Sequence, residues 1–342
     1  MARTESRHPR LGLATSFRPK LWIIALVAAL FAAGNAQSEA VKIGLLREGA
    51  LTGPIYIAKD KGYFVAEGLN CDIVKFDSAV PVSVAVVSGD IDVAVTGLSA
   101  GFYKLASQGS LRIIAGYGRE APSFHALAIV ASKSAYEGGL TSPSALAGHS
   151  VAITQIGGPS HYSLGLLAEK YHFDIKSMQV LPLQSNPNSA TAVIGGRADA
   201  GIIAGRYILP AIAMGDAKLI AWIGDEVPWQ LGAVIASAKA LRDRPTMIAA
   251  FLRAYRKGVR DYHDAFTGPG EQRKDGPSAD AILQIMAKNT GDAVELLETS
   301  IGYIDAEARL DSADIGRQIA WYKSQNLLSG DISLNDLLIS SP

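Results

Sequence analysis

The sequence predicts an α/β chain organised as two similar lobes and closed by a C-terminal helical segment. Three observations carry that prediction. Short β-rich runs alternate with helical patterns from residue 41 to residue 237, the rhythm of parallel sheets flanked by helices. After Ser237 the pattern is helical only. And one phrase occurs twice: Ala85-Val86-Val87-Ser88-Gly89-Asp90-Ile91-Asp92 is echoed by Ala192-Val193-Ile194-Gly195-Gly196-Arg197-Ala198-Asp199. In both copies a helix closes at glycine, the chain turns, and Asp opens an apolar strand. Two such units place a second lobe beside the first, and the cleft at a lobe junction is a favoured ligand site.

The elements follow in order. Strands are predicted over 41–46, 71–76, 91–96 and 111–116, then over 125–132, 149–154, 178–183, 198–204, 217–223 and 231–237. A long helix is predicted over 245–266, with Ile248, Phe251, Leu252, Tyr255, Val259 and Tyr262 on one face. Arg253, Arg256, Lys257 and Arg260 lie off that face, as on a solvated helix surface. Shorter helices are expected near 279–287, 293–301, 311–324 and 334–339, and 269–277 reads as a charged connecting loop.

The 342 residues are 49% hydrophobic and 19% charged, with 32 Lys+Arg against 32 Asp+Glu. This excludes a disordered tail, a collagen-like fibre and a polytopic membrane protein. Residues 1–36 hold Arg3, Arg7, Arg10, Arg18 and Lys20 against Glu5 alone, so the remainder carries a net charge of −4 and does not read as a nucleic-acid binder. The basic residues precede an apolar run over 21–33 that ends in Gly34-Asn35-Ala36. This is the pattern of a cleaved secretory signal peptide over 1–36, and the run is short of the roughly 20 residues that span a bilayer. The expectation is an exported, soluble protein. Cys71, the only cysteine, cannot form an internal disulfide or build a zinc site alone; it reads as a small hydrophobe near the start of a strand.

Several phrases, in order, resemble a known family. Ala58-Lys59-Asp60-Lys61-Gly62-Tyr63-Phe64 with Glu67-Gly68-Leu69 resembles its "A-x-x-K-G-Y-F-x-x-E-G-L" pattern. Ser88-Gly89-Asp90-Ile91-Asp92, Leu146-Ala147-Gly148-His149-Ser150-Val151-Ala152, Gly196-Arg197-Ala198-Asp199-Ala200, Tyr303-Ile304-Asp305 and Trp321-Tyr322-Lys323-Ser324-Gln325 are similar to later segments of it. The family is that of periplasmic substrate-binding proteins of sulfonate, taurine and nitrate ABC importers, related to thiamine-pyrimidine-type binding proteins. The resemblance implies a type II, Venus-flytrap periplasmic binding protein with two interlobe crossings. Lobe one would take 41–122 plus 226–340, and lobe two 123–225. It also implies a monomer that binds a small-molecule ligand, works with ABC permease subunits in the membrane, and needs no cofactor.

Binding groups in an open α/β lobe gather at strand carboxyl ends and the helix N-termini that follow. That rule selects Thr52 after the first strand, Thr96 and Ser99 after the third, and Arg119 after the fourth. In the second lobe it selects Gln155, Gly158, Ser160 and His161, in a Gly-Gly-Pro-Ser-His phrase that opens a helix with free amides suited to a carboxylate or sulfonate. Arg206 follows a second-lobe strand, and its guanidinium or that of Arg119 could grip an anion with two hydrogen bonds. Either could instead pair with a local acid, Glu120 for Arg119 and Asp199 or Asp225 for Arg206. Trp229, at the return crossing, could stack on a flat ligand or pack the hinge. His125 reads as a hinge hydrogen-bonder and His263 as solvated; no histidines have zinc-motif spacing.

The favoured ligand is therefore a small organic anion, with a pyrimidine, flavin or other flat heterocycle as the alternative. An enzyme of the yeast-type thiamine pyrimidine synthase kind is disfavoured, because the cysteine-rich segment of those proteins is missing and no nucleophile motif is present.

Overall fold

The computed structural model describes residues 1–2, 38–47 and 49–339. Apart from its first two residues, the predicted signal segment lies outside the described residues, as does Glu48. The architecture below belongs to the unit formed by residues 38–342.

Two five-stranded sheets organise this unit. In the first, β1 (Glu39–Leu46), β2 (Leu69–Phe76), β3 (Val93–Gly97) and β4 (Leu111–Gly116) are joined by β12 (Gly232–Ser237), in the order β2-β1-β3-β12-β4. In the second, β6 (Leu127–Ser132), β7 (Ser150–Ile153), β8 (Gln179–Pro182), β9 (Ala200–Ala204) and β10 (Ala217–Trp222) run in the order β10-β6-β9-β7-β8. Between them lies a ribbon of two short strands, β5 (Arg119–Glu120) and β11 (Trp229–Gln230), paired antiparallel. The chain passes from the first sheet to the second after β5 and returns at β11.

The sheets are mixed, not parallel throughout as the alternating pattern predicts. β12 is antiparallel to β3 and β4, and β6 is antiparallel to β9 and β10. Both odd strands lie next to the ribbon in sequence. With no crossover helix to reverse its direction, each runs against its neighbours. All of β3, β6, β9 and β12 is buried, as apolar runs covered on both faces should be.

Eight described helices have eight or more residues: α1 (Gly53–Asp60), α2 (Ala79–Ser88), α3 (Ala100–Ser107), α4 (Pro159–Tyr171), α5 (Asn186–Ile194), α6 (Pro245–Phe266), α7 (Ala279–Thr290) and α8 (Ser312–Ser324). The α6 stripe from Ile248 to Tyr262 is buried, while Arg253 and Lys257 reach Glu67 and Arg260 reaches Glu307. His263 is half-buried rather than solvated, its Nδ1 2.9 Å from the Ile304 carbonyl. The 269–277 loop does more than connect, because the Arg273 amide donates to Ser123 Oγ (3.2 Å). Cys71 is half-buried in β2, and burial pushes its thiol up to about 12. Among the described residues no helix is long and apolar enough to cross a membrane.

The repeated phrase has a shared physical role. Gly89 and Gly196 take φ of +86° and +66°, a left-handed turn that glycine adopts without a Cβ penalty. The aspartates that follow then do equivalent work. Asp92 Oδ2 accepts from the Lys42 amide in β1 at 2.8 Å, and Asp199 Oδ2 accepts from the Ser150 amide in β7 at 2.9 Å. In each sheet a carboxylate on one strand's approach ties down a neighbouring strand.

Candidate functional site

Both sheets send strand ends and helix starts to a common cleft. Its inner chamber, of about 30 Å³, is walled by Asp77, Ser78 and Ala79 at the start of α2, by Pro159 and Ser160 at the start of α4, and by Asn186 at the start of α5. Leu46, Leu127 and Leu231 supply the apolar remainder, with Thr154 above Ser160. Three helix N-termini from both sides thus face one space, and their dipoles favour negative charge.

Much of the hydrogen-bonding capacity there is already committed. Ser160 Oγ accepts from the Thr154 amide (3.2 Å), and Asn186 Oδ1 accepts from the Ala204 amide (3.1 Å). The Gly157 amide donates to His161 Nδ1 (3.0 Å), which leaves the neutral ring's proton on Nε2. Burial lowers the His161 pKa to about 4. The Gly157 carbonyl accepts from the Ala100 amide (2.8 Å), so the first turn of α3 is tied across the cleft to the loop before α4. Ser99 caps α3 by accepting from Phe102 N (3.2 Å). Gln155 packs under Gly158, and its buried Nε2 has no partner among the described residues; the same holds for Thr96 Oγ1 at the end of β3.

A second chamber of about 20 Å³ shares Leu127 and Leu231 with the first and reaches Arg206. Beyond it, a recess of about 240 Å³ at the cleft rim is bordered by Arg47, Thr52, Tyr56, Lys75, Arg206 and Tyr207, among others. Arg206 does not pair with Asp199 or Asp225; it crosses the cleft to the buried side chain of Asp292, and its Nη1 donates to the Arg47 carbonyl (3.1 Å). The Tyr207 hydroxyl donates to the same carbonyl. Thr52 Oγ1 donates to the Gly49 carbonyl (2.7 Å).

Arg119 and Trp229 lie elsewhere. Arg119 pairs with Asp311 (3.1 Å) instead of Glu120, beside a separate hollow of about 480 Å³ at the ribbon. Trp229 is fully buried, packed edge-on against Tyr162 at 4.9 Å, and Tyr117 is likewise buried. His125 stacks on Trp222 at 4.4 Å, and burial lowers its pKa.

The cleft therefore gathers Ser160, Thr52 and Arg206 from the sequence expectation, with Gly158, His161 and Gln155 shaping the α4 turn. It adds Asp77, Ser78, Thr154, Asn186, Arg47 and Lys75. The first two follow the second strand, whose carboxyl end the sequence expectation leaves out. Ser185-Asn186-Pro187 is a cap-and-proline helix start that the same rule could have found.

Two sheets joined by a two-strand ribbon, with ligand-accessible space between their carboxyl ends, define the periplasmic-binding-protein fold. Residues 51–269 match the family described as NMT1/THI5 like, and the chain belongs to that family. No curated protein sequence matches the chain. Among solved structures it is similar to the alkanesulfonate-binding protein SsuA of Xanthomonas axonopodis pv. citri bound to MOPS, at 17% identity, with 85% of this chain and 94% of that chain covered and a TM-score of 0.65. The periplasmic aliphatic sulphonate binding protein SsuA of Escherichia coli is similar at 16% identity over 89% and 93%, TM-score 0.67. The periplasmic nitrate-binding protein NrtA of Synechocystis PCC 6803 is similar at 14% identity over 87% and 84%, TM-score 0.67.

Proposed function

We propose that this chain is the periplasmic solute-binding component of an ABC importer and holds a small organic anion in the cleft between its sheets. The observation that carries the reading is the convergence of the α2, α4 and α5 N-termini, from both sides, on one cleft whose rim holds Arg47, Lys75 and Arg206. The similarity to sulfonate- and nitrate-binding structures supports it. Lobe one is taken as 41–122 plus 226–340 and lobe two as 123–225, hinged at the ribbon, and the protein acts as a monomer with membrane permease subunits. A ligand that touches both lobes favours the closed arrangement, and that arrangement is what a permease would read. No reaction is required of the chain. The flat-heterocycle alternative loses its stacking residue, since Trp229 is buried in packing.

The test is a thermal-shift screen of protein refolded from denaturant to strip carried-over ligand, against sulfonates, carboxylates, nitrate, pyrimidines and riboflavin. A ligand at 100 times its Kd adds about 2.7 kcal/mol of stability. Hits confined to pyrimidines or riboflavin would sink the anion reading.

A further inference from the structure

Resting on the organic-anion reading of the cleft, we infer that the ligand's acid group is a carboxylate held in the inner chamber, between the side-chain amide of Asn186 and the hydroxyl of Ser78. The rest of the ligand is directed outward to the rim recess. Asn186 is then the residue that selects the head group.

The orientation of the Asn186 amide is fixed by its neighbour. The Ala204 backbone amide can only donate, so the atom it meets at 3.1 Å is Oδ1, and the Nδ2 hydrogens are left for another partner. Nδ2 makes no hydrogen bond among the described residues, although Asn186 is only 8% exposed and borders the chamber. A donor so deeply placed calls for an acceptor. On the first sheet's side Ser78 precedes α2, and its hydroxyl is not used to cap that helix. Ser160 offers less, because its Oγ already accepts from the Thr154 amide. The chain bears strain to deliver Asn186: Gln184, two residues earlier, takes φ of +70°.

Size and charge then select the head group. The chamber, at about 30 Å³, admits about two oxygen-sized atoms. A carboxylate presents two oxygens in a plane, one for each donor, whereas a sulfonate brings three around a tetrahedral sulfur. Asp77, the acid in the chamber wall, is answered by Arg47 at 2.7 Å, and the dipoles of α2, α4 and α5 favour an anion there. The chamber shares Leu46 with the rim recess of about 240 Å³, and the Arg47–Asp77 pair joins the two walls. A ligand held by its head can therefore extend past Leu46 into the recess.

Titration calorimetry at pH 7 tests this with acids matched in all but the head group: 3-hydroxypropanoate against 2-hydroxyethanesulfonate, and propanoate against ethanesulfonate. The wild type is expected to bind the carboxylate of each pair more tightly by about tenfold or more. Asn186→Asp keeps an acceptor for the Ala204 amide, so the unfolding midpoint of the free protein should stay close to that of the wild type. It replaces the donor by a second carboxylate, and should weaken 3-hydroxypropanoate by about a hundredfold. Ser78→Ala removes a hydroxyl that the fold does not use and should weaken the same acid by about tenfold. A sulfonate that binds as tightly as its matched carboxylate would overturn the head-group assignment. Wild-type affinity in either variant would overturn the placement in the chamber. In both cases the organic-anion reading stands. If the wild type binds none of the four acids, this inference falls, and the organic-anion reading falls with it only if the thermal-shift screen also returns no acid.

Discussion

The two ends of the cleft are closed by different physics. Near the ribbon, α4 lies on α8 through apolar contact. A Cβ on Gly165 would meet the Trp321 indole at 2.2 Å, so only glycine lets the helices approach this closely. Tyr162 sits edge-on to Trp229 at 4.9 Å and to Trp321 at 5.4 Å. Pro159 fills the place where a side chain on Gly97 would go, with 2.5 Å to its Cγ. At the rim the contact is polar: Arg206 on Asp292, and Arg206 and Tyr207 on the Arg47 carbonyl. Apolar contact of this kind has no aqueous substitute, whereas water can replace each rim hydrogen bond at modest cost. On the proposed hinged reading, the inner end would serve as the pivot and the rim as the releasable edge.

Breaking the pivot should have the largest effect. Asp314, on α8 and 3% exposed, accepts from the Gln230 amide (2.8 Å), from Gln318 Nε2 (2.8 Å) and from the Arg317 guanidinium. It thereby ties the ribbon strand β11 to α8. Asp314→Ala would orphan two buried donors, each costing about 1–3 kcal/mol, so a loss of about 3 kcal/mol or more is expected in urea unfolding. Asp314→Asn, which retains an acceptor, should lose less. An Ala variant with an unchanged midpoint would show that the ribbon is held by packing alone.

The pivot and the rim also differ in how far the sequence discloses them. All ten predicted strands are present because each is an apolar run long enough to show its period, and α6 falls on its predicted bounds. The ribbon strands β5 and β11 are two residues each and carry no period to read. The direction of β6 and β12 depends on connectivity at the crossings, which hydrophobic pattern does not encode. At the site, the helix start at Gly158-Pro159 is legible from its first-turn proline and the one at Ser99 from its capping hydroxyl. The partners of Arg206 and Arg119 are not, because Asp292 and Asp311 lie 86 and 192 residues away in sequence. Asp314 likewise looks like an ordinary first-turn acid until the ribbon packs on it.

A smaller effect, again at the pivot, follows from His161. Its ring is buried, accepts from the Gly157 amide and lies edge-on to Trp321 at 5.1 Å. Its folded pKa of about 4 is below the unfolded value near 6.5, so the unfolded chain takes up a proton first as pH falls. Stability from this residue is therefore complete above pH 6.5 and declines as pH drops towards 4, by about 2 kcal/mol at pH 5. His125, also lowered by burial, adds in the same direction. The midpoint of thermal unfolding should fall between pH 6.5 and 4.5 in the wild type and fall less in His161→Gln. Equal slopes in the two proteins would mean that the ring escapes its pocket when protonated.

The smallest effects should come from the rim, and there two arginines separate latch from surface pair. Arg206 acts through its guanidinium. Removing it in Arg206→Ala should cost only about 1 kcal/mol of global stability, because an opened rim readmits water to Asp292 and spares the penalty of a buried unpaired charge. What should change is shape, with a larger radius of gyration for the ligand-free protein in solution scattering. Arg47 contributes to the latch only by its backbone carbonyl, and its side chain forms an exposed pair with Asp77, the two 51% and 63% accessible. Arg47→Ala retains that carbonyl and gives up a pair worth at most about 0.5 kcal/mol, so the ligand-free protein should scatter like the wild type. If both variants open alike, the rim is held by charge in general; if neither does, the apolar pivot alone keeps the lobes together.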